Sequence, residues 1–486
     1  MKTIALLLAA AAPQEELYVA TPLTAAGAFT EGIEGPACDR EGNIYAVNFQ
    51  KQQTIGRVTP DGKGEVYVTL PGQSTGNGIR FDRAGRMYIA DYVGHNVLVV
   101  DPKTREIRVH AHHDGMNQPN DLAIAPDGTF YASDPSWKHS TGQLWRVGAD
   151  GKVLKLAEGM STTNGIDVSP DGKILYVNES VSRKTWAFDI TAEGIANKRL
   201  LIEFPDHGYD GMRCDVDGNL YISRYGKGVV AVVSPQGKLI REIGVLGAKP
   251  SNLCFGGPDG RTVYVTEVEH RRLVQFRVER PGLEWLRWQE GPSALETDAT
   301  GWTDLMPGAE LKGWKRALTP QDSLAASNPW RVENGLLACS GEKVKEMLLH
   351  ETERGDGIFH VEWRATKAGD YNGGVYVRTA MDGKVWHQAQ VAMSAKPPVV
   401  GDFFAVTPIG GEVKRIDLPS RIPNRARPVG EWNTYELACR GKSVTLWVNG
   451  AVTARWDACE VPRGHVGLQV EFFDLEFRSL KFKTLP

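Results

Sequence analysis

Residues 215–224 read DVDGNLYISR, an aspartate-led turn closing on a glycine, followed by alternating residues around a tyrosine. The glycine supplies a turn position that tolerates φ > 0, and the alternation after it is that of a half-buried strand. The phrase recurs as DREGNIYAVN (39–48), DRAGRMYIAD (82–91), PDGTFYASD (126–134), PDGKILYVNE (170–179) and PDGRTVYVTE (258–267). Its turn glycines, Gly42, Gly85, Gly128, Gly172, Gly218 and Gly260, lie 43, 43, 44, 46 and 42 residues apart. A period of that length holds four short strands and their turns, which is one blade of a β-propeller. Between the repeats sit further strand pairs, such as TIGRVTPDGKGEVYV (54–68) and QLWRVGADGKVLKL (143–156). A lone four-stranded sheet leaves both faces wet, so the blades must close into a ring. The spacing predicts a six-bladed propeller over residues 13–280, with a strand near Glu16–Ala20 completing the last blade.

At 486 residues the chain exceeds what one core organises, and the repeat stops after Glu279. Lysine and arginine (56) nearly balance aspartate and glutamate (59), with no long basic run, which argues against nucleic acid or an anionic membrane as partner. A lysine, the apolar run Ile4–Ala12 and a polar boundary at Pro13 read as a signal peptide over residues 1–12, hence a secreted or periplasmic protein. No other stretch approaches the ~20 apolar residues that a membrane span needs. The six cysteines include no Cys-x-x-Cys pair, which excludes a zinc ribbon. They read as buried free thiols, with a Cys439–Cys459 bridge open to an exported chain.

Just ahead of the repeats lie segments rich in Asn, Asp and Glu: Glu31 to Glu34, Asn77-Gly78, Gln118 to Asp121, Asn164-Gly165, Asp210-Gly211 and Ser251-Asn252. They occupy equivalent places in the six repeats and should meet at one end of the central channel. Two carboxylates and several amide oxygens there make a hard oxygen cage suited to calcium or magnesium, with manganese or zinc also compatible. The competing reading is that Asn-Gly and Asp-Gly pairs simply make turns.

Five motifs from this region, EGPACD (34–39), NQPNDLAIAPDG (117–128), NGIDVSPDGKILYV (164–177), YDGMRCDVDGNLYIS (209–223) and SNLCFGGPDGRTVYVT (251–266), form an ordered set. Through them residues 25–280 resemble the senescence-marker-protein/gluconolactonase family of six-bladed propellers. The resemblance implies a divalent cation, calcium foremost, held by Glu34, Asn164 and Asp210. It implies substrate contact from Asn120, with Asp121 in support and Gln118 in the same loop. The chemistry implied is hydrolysis of a sugar lactone or related ester. The cation would polarise the carbonyl, Asp210 would act as general base on water, and Asn120 and Asn164 would position the reacting oxygen. Gln118 stands where some relatives carry an arginine, which argues against an acidic sugar.

Residues 281–300 lack periodicity and read as a linker. Beyond them FHVEWRA (359–365), GGVYVRT (373–379), NTYELACR (433–440) and SVTLWVNGAVTARW (443–456) alternate as strands, and Asn449-Gly450 marks a tight hairpin. This predicts an all-β chain: a propeller followed by a β-sandwich over 301–486. The stretches GWTDLMPGAELKGWK (301–315), WRVENGLLAC (330–339), GEWNTYEL (430–437) and GHVGLQVEFFDLEFRSLKFK (464–483) resemble the 3-keto-disaccharide hydrolase domain family, a concanavalin-like jelly roll. That likeness implies binding or cleavage of an oxidised saccharide. Where relatives read Tyr-Glu-Ile-Gln this chain has His387-Gln388-Ala389-Gln390, which lacks the acid. Trp386 is a candidate sugar platform and Trp447 reads as core. The leading reading is therefore a metal-dependent lactonase with a sugar-processing or sugar-binding second domain. The alternatives are a 3-keto-glycoside hydrolase acting through the sandwich, and a non-catalytic carbohydrate-binding scaffold.

Overall fold

The computed structural model describes residues 16–318, 324–340, 344–367, 371–392, 400–422, 425–471 and 473–486. The expected signal peptide at 1–12 lies outside the described residues. The chain divides into two units, one ending at Trp288 and the other beginning at Gln289.

Six four-stranded antiparallel sheets make up the first unit among its described residues. The innermost strands, blades 1 to 6 in order, are Phe29–Cys38, Gly76–Phe81, Leu122–Ile124, Thr163–Val168, Met212–Cys214 and Pro250–Gly256. Each repeated phrase supplies a turn and the second strand of its blade. The turn glycines adopt the left-handed conformation, with φ of 88° at Gly42 and 85° at Gly218. The leading aspartate caps the turn: Asp39 Oδ1 accepts from Asn43 N–H at 2.8 Å, and Asp215 Oδ1 accepts from Asn219 N–H at 2.9 Å. Alternation predicts that these second strands are half-buried. Instead Ile44–Phe49 and Thr262–Glu267 are buried throughout, because a neighbouring blade covers each face. The core accordingly lies between blades. Val47 meets Ile79 and Ile89 across blades 1 and 2, and Leu144 meets Ile166 and Val177 across blades 3 and 4.

The ring closes through the N-terminal segment. Thr21 pairs with Gln275 and Pro22 with Val274, and Tyr18 N–H donates to the Arg277 carbonyl at 2.8 Å. The closing strand is Thr21–Pro22 rather than Glu16–Ala20, since Tyr18 stands at φ 66° and interrupts an extended run. Residues 281–300 carry two short helices, Leu283–Gln289 and Ala294–Thr297. Leu283 joins the apolar cluster between blades 4 and 5, so the first helix packs onto the propeller.

Among its described residues the second unit has an eight-stranded and a seven-stranded sheet with one shared core. Phe359, Trp363 and Leu480 come from the first sheet, and Val375, Ala389 and Leu468 from the second. Asn449 and Gly450, at φ 43° and 98°, join Val448 to Ala451 in a two-residue hairpin. All six cysteines are buried and unbridged, Cys439 and Cys459 included. Trp447, read as core, is only half-buried, and its Nε1–H donates to the Gly291 carbonyl at 3.1 Å.

Candidate active site

The inner strands begin around the propeller axis, and their first residues line a cavity of about 460 Å³. Glu34, Asn77, Asn120, Asn164, Asp210 and Ser251, one from each blade in turn, are among its walls. The Asn-Gly and Asp-Gly pairs there are not turns. Gly78 N–H donates across blades to the Asn120 carbonyl at 2.7 Å, and Gly211 N–H to the Ser251 carbonyl at 2.7 Å. A Cβ at Gly211 would sit 1.9 Å from the Asn252 side chain, and one at Gly35 would sit 1.8 Å from the Asn77 carbonyl oxygen. Glycine is needed at these places so that neighbouring backbones can crowd the axis. The polar residue before each of them is thereby brought to the channel mouth.

Glu34, Asn164 and Asp210 meet as the sequence predicts. The Asp210 carboxyl lies within hydrogen-bonding reach of both Glu34 and Asn164. Burial raises the Glu34 carboxyl from 4.5 to about 7, with the charge of Asp121 adding to the rise. Burial and the neighbouring Glu34 likewise push Asp210 well above the ordinary carboxylate range. Asn164 Nδ2 donates to Ser180 Oγ at 3.1 Å, while among the described residues its buried Oδ1 has no hydrogen-bond partner, and neither has Oδ1 of Asn77. Buried acceptors without donors are rare, and two of them beside a pair of carboxylates fit a hard divalent cation. Asn77 thus joins the set, a residue that the sequence motifs placed in the ring without assigning it a role.

Asn120 lines the cavity and is 4% exposed. Asp121 does not line it. Its carboxylate is fully buried below the floor, held by Arg213 at 2.9 Å and Arg80 at 3.1 Å. Burial pushes that carboxyl up, but the two guanidinium groups outweigh it and hold it below the usual range. Arg80 Nε in turn lies 2.7 Å from Glu284 of the helix Leu283–Gln289. Arg80 and Arg213 went unassigned in the sequence, although each stands two residues after the axial glycine of an otherwise apolar inner strand. Gln118 also stays out of the cavity wall. Its Oε1 accepts from Trp137 N–H at 3.2 Å, and its side chain lies beside Tyr92.

The last residue of each repeated phrase has a task the motif reading did not foresee. Asn48, Asp91, Asp134, Glu179, Arg224 and Glu267 are all buried and clasp the loops beside the cavity. Asp134 accepts from Asn117 N–H at 2.9 Å, Gln143 Nε2 at 2.7 Å and Trp145 Nε1 at 2.7 Å. Glu267 accepts from the N–H groups of Glu269 (2.8 Å) and His270 (2.9 Å). Those bonds account for the close grouping of Glu267, Glu269 and His270.

A second cleft, of about 430 Å³, opens on the seven-stranded sheet. Gln388, Gln390 and Gln469 line it beside Trp386 and Phe404, and Gln388 Nε2 donates to Gln469 Oε1 at 2.8 Å. Its carboxylate, Glu471, is paired with Lys345 at 3.3 Å. His387 points the other way, fully buried, with Nε2 3.0 Å from Thr407 Oγ1. No helix among the described residues is long and apolar enough to cross a membrane.

Residues 15–269 match the SMP-30/gluconolactonase/LRE-like region, and residues 301–483 match the 3-keto-alpha-glucoside-1,2-lyase-like domain. The gluconolactonase of Zymomonas mobilis is 27% identical over 287 residues, covering 51% of this chain and 80% of that protein. The diisopropyl-fluorophosphatase of Loligo vulgaris is 28% identical over 284 residues, covering 52% of this chain and 90% of its own. A calcium-binding regucalcin structure from Agrobacterium tumefaciens aligns with a TM-score of 0.47 at 23% identity, over 53% of this chain and 93% of that one. The chain belongs to the SMP-30/gluconolactonase/LRE-like family, its propeller followed by a 3-keto-alpha-glucoside-1,2-lyase-like domain.

Proposed function

We propose that the propeller is a divalent-cation-dependent hydrolase of sugar lactones or related esters. The observation that carries this reading is the axial donor set: Glu34 and Asp210 side by side, with the partnerless Oδ1 atoms of Asn164 and Asn77 at the same cavity. Glu34, Asn164 and Asp210 would hold the ion, with Asn77 as a further donor and calcium the first choice for an all-oxygen set. When bound, such a cation polarises an ester carbonyl and favours ionisation of water. Asp210 takes the proton of the attacking water, and Asn120, fixed by its backbone bond to Ser133 at 2.8 Å, orients the carbonyl. The gluconolactonase among the relatives supports the lactone as substrate class. Export through residues 1–12 is part of the same proposal, and the N-terminal sequence of the mature protein tests it.

A panel of aldonolactones and aryl esters tests the reaction. Asp210→Asn is expected to lower turnover by about 10²–10⁴-fold. Full activity in that variant would remove Asp210 from the mechanism. The sandwich cleft supports a second, subordinate reading as a saccharide-binding surface. Its amides and Trp386 can hold a sugar, while its carboxylate is engaged by Lys345. Binding of an oxidised disaccharide that Trp386→Ala weakens, without glycoside cleavage, is the expected result.

A further inference from the structure

The rim of the propeller cavity carries three aromatic rings. Tyr92, Trp137 and Tyr225 reach it from the loops that follow the second strands of blades 2, 3 and 5. Trp137 is 40% exposed and Tyr225 36%, so these rings offer free faces to whatever enters. Two of them, Tyr92 and Trp137 on the adjoining blades 2 and 3, have Gln118 as a common neighbour. Gln118 takes the backbone N–H of Trp137 on its Oε1 and lies beside the side chain of Tyr92. The wall is also one-sided in charge. Glu31, Glu34 and Asp210 line it, and among its described residues there is no lysine, arginine or histidine.

We infer that this cavity is selective for an uncharged lactone whose ring lies against the Tyr92–Trp137 wall, and that Gln118 is the positioning residue that sets that wall. The inference rests on the lactone reading above and adds what that reading leaves open. A sugar ring presents a C–H face that packs on an aromatic face, and such contacts contribute beyond simple burial. An anionic group would instead meet carboxylates without any side-chain cation. A bound divalent ion offsets Glu34 and Asp210 but leaves Glu31. The wall costs little ordering on binding, because Gln118 already holds the backbone of Trp137 and sits beside Tyr92.

Gluconolactam, a neutral analogue that is not hydrolysed, separates binding from turnover. Its affinity for the full chain can be read by tryptophan fluorescence and calorimetry, beside that of its phosphate ester at the primary hydroxyl. The neutral lactam should bind roughly tenfold or more tightly than the phosphate. Trp137→Ala should weaken it by about three- to tenfold. Gln118→Met, which accepts no hydrogen bond, should raise KM for the matching lactone with kcat unchanged, and Gln118→Glu should restore it. If the lactam binds in this way yet no lactone is hydrolysed, the hydrolase reading falls and the selectivity stands. Equal binding of the two lactams, no binding of the neutral one, or unchanged affinity in Trp137→Ala would overturn the inference.

Discussion

Asp121 shows how one residue's setting redirects its role. The sequence places it beside Asn120 at the channel mouth, but one step along the chain turns its side chain below the cavity floor, where Arg80 and Arg213 enclose it. Buried pairs of this kind add little net stability when whole, yet removing one partner strands a charge in a low dielectric. Arg213→Met is therefore expected to destabilise the propeller by about 3–5 kcal/mol, read as a fall in melting temperature. Arg213→Met combined with Asp121→Leu should recover most of that loss. An unchanged melting temperature in the single variant would mean that Asp121 carries no charge there. The axial polar ring was legible because its residues recur at the same place in successive repeats, and the family resemblance singled out Glu34, Asn164 and Asp210 within it. The arginines were not, because a repeat read for its turns gives no weight to a lone charge inside a strand.

At the level of the element, the repeated phrase does two jobs with its two ends. Its glycine makes the turn, which the sequence states openly. Its final residue, Asn, Asp, Glu or Arg, clasps the loop beside the cavity, and that was hidden because six blades use four residue types for it. Asp134→Ala leaves Asn117 N–H, Gln143 and the indole of Trp145 without their acceptor. The expected cost is about 2–3 kcal/mol, and hydrogen exchange should quicken first in residues 115–120. Uniform quickening across all blades would show that the clasp is not local. The sandwich was legible at this scale from its alternation and its Asn449-Gly450 hairpin. The half-burial of Trp447 was not, since alternation does not say which face another segment will cover.

For the whole molecule, the proposed cation would link binding to folding through the axial carboxylates. Without a cation, the folded propeller raises Glu34 from 4.5 to about 7 and lifts Asp210 as well. Between those values the folded chain holds more protons than the unfolded one, so stability is highest at the acidic end and falls as pH rises through the window. On the proposed reading a divalent cation would take the place of those protons and abolish the decline. Melting temperatures in EDTA and in excess calcium across this range test the linkage, and Glu34→Gln should flatten the EDTA curve. A flat curve for the unaltered chain would mean that the two carboxyls are not raised. The ring of six blades was readable from spacing alone, but a fold does not confer an activity. The claim that this ring frames a cation-dependent hydrolytic centre is tested most directly by δ-gluconolactone turnover in the EDTA-stripped chain, with calcium then restored. The account predicts turnover near the spontaneous rate after stripping and full recovery with calcium, absent in Asp210→Asn. Undiminished turnover by the stripped protein would contradict it.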